Sequence, residues 1–134
     1  MIRKELEIIL ARHELDIILA RHKLWLLTHG QEGQRADLAG FDLAGFDLSD
    51  VNLTKANLMG ASLKKANLNM AILDGANLEM ADLRGANLEG ATLQGASLRN
   101  ANLEGAFFYF ANLDGADLTG AISIPTYCQE ETVQ

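Results

Sequence analysis

Residues 86–105 read ANLEG ATLQG ASLRN ANLEG, and this stretch decides the fold. The text divides into units of five residues that begin with Ala and carry Leu at the third position. The same frame runs without insertion from Ala36 to Gly120, giving seventeen units with Leu third in sixteen of them and Phe108 in the other. A fixed period of this kind indicates a repeat architecture.

The five-residue period excludes a helix. A step of five residues advances about 500° around an α-helix, so successive Leu side chains would not share a face. Gly closes ten of the units, and each would cost a helix interior about 1 kcal/mol relative to Ala. The apolar first and third positions instead flank a polar second position, as in a short strand with one buried face. We therefore expect short strands joined by turns and stacked into coils.

Glycine at the fifth position suits a turn residue with positive φ. Lys55, Lys65, Asn100 and Phe110 occupy the same position. The sequence therefore predicts that positive φ is not required at every corner, the fifth position of a unit at which the chain turns.

The repeat A-(N/D)-L-x-x resembles that of the pentapeptide-repeat proteins over residues 36–120. The resemblance implies a right-handed quadrilateral parallel β-helix with four units per coil and about four coils. Ala121–Pro125 is similar to a degenerate further unit. At about 4.8 Å per coil, the stack would be ~20 Å long. We expect an N-terminal helical cap at 1–30, the β-helix at 31–125 and a tail at 126–134.

The N-terminal segment has its own repeat, ELEIILARH at 5–13 and ELDIILARH at 14–22. Nine residues turn a helix by about 180°, so one continuous helix would be apolar on two sides. We therefore expect two short helices, about 2–12 and 14–28, ended by Gly30 and Gly33. The alternative is one long helix whose second apolar side binds another copy of the chain.

The first coil differs from the others in a way that suits a cap. Phe41, Phe46 and Val51 replace Ala only there, where a cap could cover the added bulk. We expect the cap to place Trp25, Leu24 and Leu27 over Phe41 and Phe46.

Polar residues recur at the second position but predict no catalytic site. On a convex surface without a cleft, short Asp and Asn side chains are expected to hydrogen-bond the nearby turn backbone. The set comprises Asp37, Asp42, Asp47, Asn52, Asn57, Asn67, Asn77, Asp82, Asn87, Asn102, Asn112 and Asp117. We expect no catalytic residue, no cofactor and no enzymatic activity.

Histidine and cysteine spacing predicts no metal site. His13 and His22 would point to opposite sides of a helix, and His29 lies two turns from His22, too far to share one ion. We expect these histidines to be structural or exposed. Cys128 is the only cysteine, so no intrachain disulfide or paired-cysteine motif can form.

Charge and hydropathy limit the partners. The formal net charge is −7, and most of the acidic excess lies in the repeats. Binding to nucleic acid phosphates needs a basic face, so no direct nucleic-acid binding is expected. No apolar run is long enough to span a membrane. A cytoplasmic location is therefore expected.

These observations predict a non-enzymatic scaffold or structural module that binds protein, as a monomer or an end-to-end homodimer. The family resemblance implies an alternative, because some members mimic duplex DNA and interact with DNA gyrase. The acidic charge suits that role. The expected length matches only ~6 base pairs of 3.4 Å, and basic residues of the repeats dilute the acidity, among them Lys64, Lys65, Arg84 and Arg99.

Half of the eight aromatic residues lie in GAFFYF, residues 105–110. The repeat frame places Phe108 in the core, Phe107 and Tyr109 outward, and Phe110 at the corner. We expect the outward aromatics to be covered by the tail at 126–134, including Tyr127, or by a second subunit. The candidate interaction surface comprises Phe107, Tyr109, Phe110, Met70 and Ile72.

Overall fold

The computed structural model describes residues 2–125, and the chain divides between Ala36 and Asp37 into two compact units. The first unit contains helix α1, Ile2–Leu27. The second unit consists of stacked coils whose strands are single bridge residues. Our predictions for Tyr127, Cys128 and the tail at 126–134 lie outside the described residues.

Helix α1 is continuous, so the prediction of two short helices is wrong. Neither Gly nor Pro interrupts residues 2–27. An ion pair also crosses the expected break, since Arg12 Nε lies 3.0 Å from Asp16 Oδ1, one turn away. Such pairs support a helix across the residues that separate them. The nine-residue repeat therefore produces one helix that is apolar on two sides.

Helix α1 ends before Gly30 and Gly33, as predicted. The residue that adopts the left-handed backbone conformation at its C-terminus is a histidine rather than a glycine. His29 has φ 52°, its amide donates to Leu26 O at 3.3 Å, and the Gly30 amide donates to Trp25 O at 2.8 Å. These two bonds form a Schellman motif with His29 in the place that usually holds Gly. Leu24 and Leu27, which we expected to be buried, are 41% and 70% exposed. Packing of Trp25 on Phe41 and Phe46 stays a prediction.

Each coil contains four of the five-residue units. Parallel bridges join second-position residues twenty apart, from Asp37 with Asn57 to Asn102 with Ile122. Third-position amides donate to the next coil, as Leu38 N does to Asn57 O at 2.7 Å. Fifth-position amides do the same, and second-position amides donate back to the preceding coil. Continuous backbone pairing along the stack explains why such short strands are stable together.

The core is made by the first and third positions, as the alternation predicts. Every third-position residue from Leu38 to Leu118 is buried, including Phe108. The first-position Ala residues from Ala56 to Ala106 are also buried. Only the first coil holds bulkier residues there, and Phe41 is half-buried. The small Ala side chain therefore lines the interior wherever a coil lies on both sides.

All seventeen corner residues have positive φ, so the prediction that some corners escape this conformation is wrong. The first-position amide donates to the third-position carbonyl of the preceding unit, as Phe41 N does to Leu38 O at 3.1 Å. Positive φ at the third residue of such a turn defines type II. Because pairing between coils fixes this turn, seven residues other than Gly adopt it: Asp50, Lys55, Lys65, Met70, Met80, Asn100 and Phe110.

Candidate interaction surface

The polar second-position residues are used to build the turns. In all twelve, the side-chain Oδ1 accepts a hydrogen bond from the backbone amide two residues later, at 3.0 to 3.2 Å. Asn57 also donates from Nδ2 to Asp37 Oδ1 at 3.2 Å, which joins adjacent coils. This confirms the prediction that these side chains bond the local backbone.

Two aspartates also pair with arginines on the coil surface. Arg84 donates to both carboxylate oxygens of Asp82, at 2.9 and 2.7 Å. These hydrogen bonds, and more weakly the positive charge, lower the pKa of Asp82. Asp117 accepts from the Thr119 hydroxyl at 2.6 Å and lies 3.4 Å from Arg99 Nη1. The Thr119 hydrogen bonds are the main cause of the lowered pKa of Asp117. Both shifts favour the ionised carboxylate, which suits a structural group.

The titratable residues that the structure describes form no metal-ligand group. Among residues 2–125, no three His, Cys, Asp or Glu side chains are grouped as metal ligands would be. His13 and His29 are exposed, whereas His22 is buried and its Nδ1 accepts from the Ala36 amide at 2.9 Å. No helix in the same described range combines the length and the apolar character needed to cross a bilayer.

The aromatic unit at 106–110 places its side chains as the repeat frame predicts. Phe108 is 3% exposed and replaces a core Leu. Phe107, Tyr109 and Phe110 are 52%, 57% and 89% exposed. Phe107 continues a column of second-position residues, because its bridge partner one coil earlier is Asn87. An exposed aromatic ring therefore follows the polar residues of this column.

Met70 lies on the same side of the coils but two coils earlier. Its Sδ lies against the α-carbon region of Gly90, where a Cβ would sit. The corner residue twenty positions after Gly90 is Phe110, so Met70, Gly90 and Phe110 follow one another along one corner. Met70 is exposed, whereas Ile72 is half-buried on the neighbouring side. The structure thus groups the three aromatics in one unit and leaves Met70 and Ile72 at a distance of two coils.

The last coil presents backbone donors beside these aromatics. In the preceding coil, Leu93 N donates to Asn112 O at 2.7 Å and Leu98 N donates to Asp117 O at 2.8 Å. The equivalent amides one coil later, of Leu113 and Leu118, have no acceptor within residues 2–125. Backbone donors at the end of a β-stack can pair with a further strand, from the same chain or from another.

The backbone donors depend on the register between coils rather than on side-chain identity, and the twenty-residue register of four units per coil identifies them. Sequence reasoning missed the bond between His22 and Ala36, since nothing in the spacing of these residues signals a contact fourteen positions apart.

The coil geometry agrees with comparisons to known proteins. The sequence profile described as Pentapeptide repeats matches residues 34–69, 42–79 and 81–120. No curated protein sequence matches the chain.

Among solved structures, the chain is similar to Rfr23, a pentapeptide repeat protein from the cyanobacterium Cyanothece 51142. Sequence identity is 39% and the TM-score 0.64, over 66% of this chain and 60% of Rfr23. The aligned part thus spans less than two thirds of Rfr23. A pentapeptide repeat protein from Nostoc Pcc 7120 is 28% identical, with a TM-score of 0.65 over 81% of this chain and 88% of its own.

A third similar structure is QnrB1, a plasmid-mediated fluoroquinolone resistance protein. It is 22% identical over 65% of this chain and 60% of its own, with a TM-score of 0.32. That score is too low for any argument from its function. The profile match covers well over half of the chain, and the two cyanobacterial structures share its fold, a β-helix solenoid. The chain belongs to the pentapeptide-repeat family.

Proposed function

We propose that the chain is a non-enzymatic scaffold that binds a protein partner through an aromatic surface on its last coil. This aromatic surface consists of Phe107, Tyr109 and Phe110, and we include Met70 and Ile72, about two coils earlier, as its proposed extension. The observation that carries the proposal is the exposure of three aromatic side chains within a single five-residue unit. Exposed clusters of apolar residues are typical of protein interfaces. Aromatic residues are also common among the few residues that contribute most of the binding energy.

The backbone beside the aromatic surface supports the same proposal. The amides of Leu113 and Leu118 have no acceptor within the described residues, so a partner could continue the stack by adding its own backbone. A second copy would supply matching strands, which makes an end-to-end homodimer one form of the proposal. The other form is a monomer in which residues 126–134 cover the aromatic surface.

The architecture that we propose for this role is a right-handed quadrilateral β-helix of about four coils at 31–125. Residues 1–30 form its helical cap, and residues 126–134 its tail. The absence of a convergent titratable group among residues 2–125 supports a role without catalysis. We propose a cytoplasmic location, without direct binding to nucleic acid.

The test is a consensus-restoring variant, Phe107→Asn with Phe110→Gly. Met80→Gly is the matched control, because Met80 is also exposed and also occupies a corner with φ near 60°. We expect the double variant, and not the control, to change the molar mass by light scattering or the affinity for a protein partner. Equal behaviour of the double variant and the wild type would refute the proposal.

Removal of residues 126–134 distinguishes the end-to-end homodimer from the monomer whose tail covers the aromatic surface. If the tail covers the aromatic surface, the truncated chain self-associates and the double variant suppresses this association. If a second copy covers it, the full chain is already dimeric.

DNA mimicry is the second candidate, and the charge distribution weighs against it. Arg84 and Arg99 neutralise Asp82 and Asp117 on the coil surface. We expect no protection of DNA gyrase in a supercoiling assay with a fluoroquinolone at about 10 µM protein, a level at which micromolar binding is detectable. Protection at that concentration would favour mimicry over the scaffold proposal.

A further inference from the structure

Helix α1 carries an exposed apolar face. Its exposed large apolar side chains include Ile2, Leu6, Ile9, Leu10, Ile17, Leu24 and Leu27. At about 100° per residue, these seven residues fall within an arc of about 100°. We call this arc the outer face of α1. A contiguous apolar surface on a helix marks a contact with another molecule.

The buried side of α1 lies opposite the outer face. Leu15 and His22 are both fully buried, and they lie about 170° from the middle of the outer face. The helix therefore has one apolar side that the chain itself buries and a second that it leaves exposed.

We propose that the outer face pairs with the outer face of a second copy of this chain in an antiparallel helix pair. In that arrangement Ile2 lies opposite Leu24, Ile9 lies opposite Ile17, and His13 lies near its own copy at the centre. The large apolar residues of the outer face recur three, four or seven positions apart, and His13 and Ala20 occupy the intermediate places, which is the spacing of the seam of a helix pair.

Charged residues lie on both flanks of the outer face. Along one flank, their order is complementary to the same flank of a second copy that runs in the opposite direction. One flank carries Glu5, Arg12, Asp16 and Lys23. Antiparallel pairing brings a flank against the same flank of the second copy. Glu5 then lies opposite Lys23, and the Arg12–Asp16 ion pair within each helix lies opposite the same pair of the second copy in reversed order. Opposite charges beside an apolar seam select the partner and its orientation.

The charges on the other flank favour the antiparallel orientation less strongly. It places Glu7 near Arg21, but it also brings Arg3 near Arg21 and Glu14 near its own copy, which are like-charged contacts. Parallel pairing would instead bring Lys23 beside Arg21 and Asp16 beside Glu14. The antiparallel orientation therefore has the better charge balance, and a second copy fits the surface better than an unrelated apolar partner.

Leu6→Glu and Ile8→Glu provide a matched test. These residues are 53% and 58% exposed, but they lie about 160° apart around the helix. Both variants add the same charge, and only Leu6 lies on the outer face. By sedimentation from ~5 to ~200 µM, we expect concentration-dependent dimers for the wild type and Ile8→Glu. We expect Leu6→Glu to weaken dimerisation at least ~10-fold, as loss of a buried apolar anchor does.

A disulfide test covers the case in which Leu6→Glu loses its helix, which circular dichroism would reveal. In a Cys128→Ser background, His13→Cys should form a covalent dimer on oxidation, whereas Ala11→Cys on the buried side should not. A wild type that remains monomeric across the concentration range would overturn the proposal. So would equal weakening by Leu6→Glu and Ile8→Glu, or equal crosslinking of both cysteine variants.

This proposal is independent of the aromatic surface. Phe107→Asn with Phe110→Gly should leave dimerisation through α1 unchanged, so either proposal can fail without the other. Binding to vesicles of anionic phospholipid by a chain that stays monomeric in solution would assign the outer face to a membrane surface and overturn pairing with a second copy.

Discussion

The Nδ1 atom of His22 accepts a 2.9 Å hydrogen bond from the backbone amide of Ala36, and His22 is fully buried. His22 also stacks on Trp25, with ring centroids 5.7 Å apart. The hydrogen bond ties the C-terminal third of α1 to the residue at which the first compact unit ends. An acceptor at Nδ1 requires that this nitrogen carry no proton, so the proton of the neutral ring lies on Nε2.

We expect His22→Leu to destabilise the first unit by about 1 to 3 kcal/mol, because it leaves a buried amide without an acceptor. His22→Asn keeps an acceptor near the position of Nδ1 and should lose less. Urea unfolding followed by the fluorescence of Trp25, the only tryptophan, measures the difference. A Leu variant at least as stable as the Asn variant would show that the hydrogen bond contributes little.

Gly33 is expected to tolerate no side chain. Its φ is +75°, and a Cβ would collide with the Arg21 carbonyl and lie 2.7 Å from the Trp25 amide. Both obstacles are helix backbone, so they cannot move aside. Gly60 has φ +66° with nothing within 4 Å of the same position, which makes Gly60→Ala the control for strain alone.

We expect Gly33→Ala to cost about 3 kcal/mol or more, and Gly60→Ala about 1 to 2 kcal/mol. Thermal unfolding by circular dichroism at 222 nm reports the helix, and the shift should be larger for Gly33→Ala. Similar shifts for the two variants would mean that the chain after α1 can move away from the helix.

The corner conformation predicts that some corners can be improved. Met80 holds φ 62°, which costs a residue with a side chain about 1 to 2 kcal/mol. Met80→Gly removes this strain. The glycine also raises the conformational entropy of the unfolded chain, which offsets about 0.5 to 1 kcal/mol of the stability gained. We expect a net gain of up to about 1 kcal/mol. Gly95→Ala, with nothing near the new Cβ, should shift the urea midpoint the opposite way. Shifts in the same direction would contradict this account.

The repeat frame predicted most of the coils because a period of five assigns each residue to a side. It placed Phe108 inside and Phe107 and Tyr109 outside before any contact was known. It did not predict the positive φ of Phe110. The residue type indicates only which backbone conformation a residue favours, whereas the hydrogen bonds between coils fix the conformation of the fifth position. Lys65 and Asn100 adopt the same conformation for that reason.

The sequence was a poorer guide to α1. We favoured two short helices over the alternative of a single helix because a single helix would be apolar on two sides, which assumes that a helix leaves no apolar face exposed. The structure leaves Leu6 and Leu27 exposed and keeps the helix continuous. The two-sided pattern was therefore a property of the helix rather than a sign of a break, and it indicates a surface for a partner.

Acid should weaken the coils through Asp82. Hydrogen bonds from Arg84 lower its pKa below the ordinary value of 3.8 in the folded chain. A carboxyl whose pKa is lower folded than unfolded stabilises the fold above its unfolded pKa. That contribution is complete above 3.8 and is lost as pH falls through the lower folded value. The side chain is partly exposed, so we expect a modest effect.

Asp82→Asn removes the titrating group and keeps the oxygen that accepts from the Arg84 amide. Asn already occupies this repeat position in the next unit, at Asn87, where its Oδ1 bonds the Glu89 amide at 3.0 Å. Between pH 7 and about pH 3, the urea midpoint of the wild type should therefore fall further than that of Asp82→Asn. Arg84→Gln should also reduce the fall, because the pKa of Asp82 returns toward its ordinary value. Identical acid sensitivity in all three proteins would show that the ion pair does not stabilise the coils.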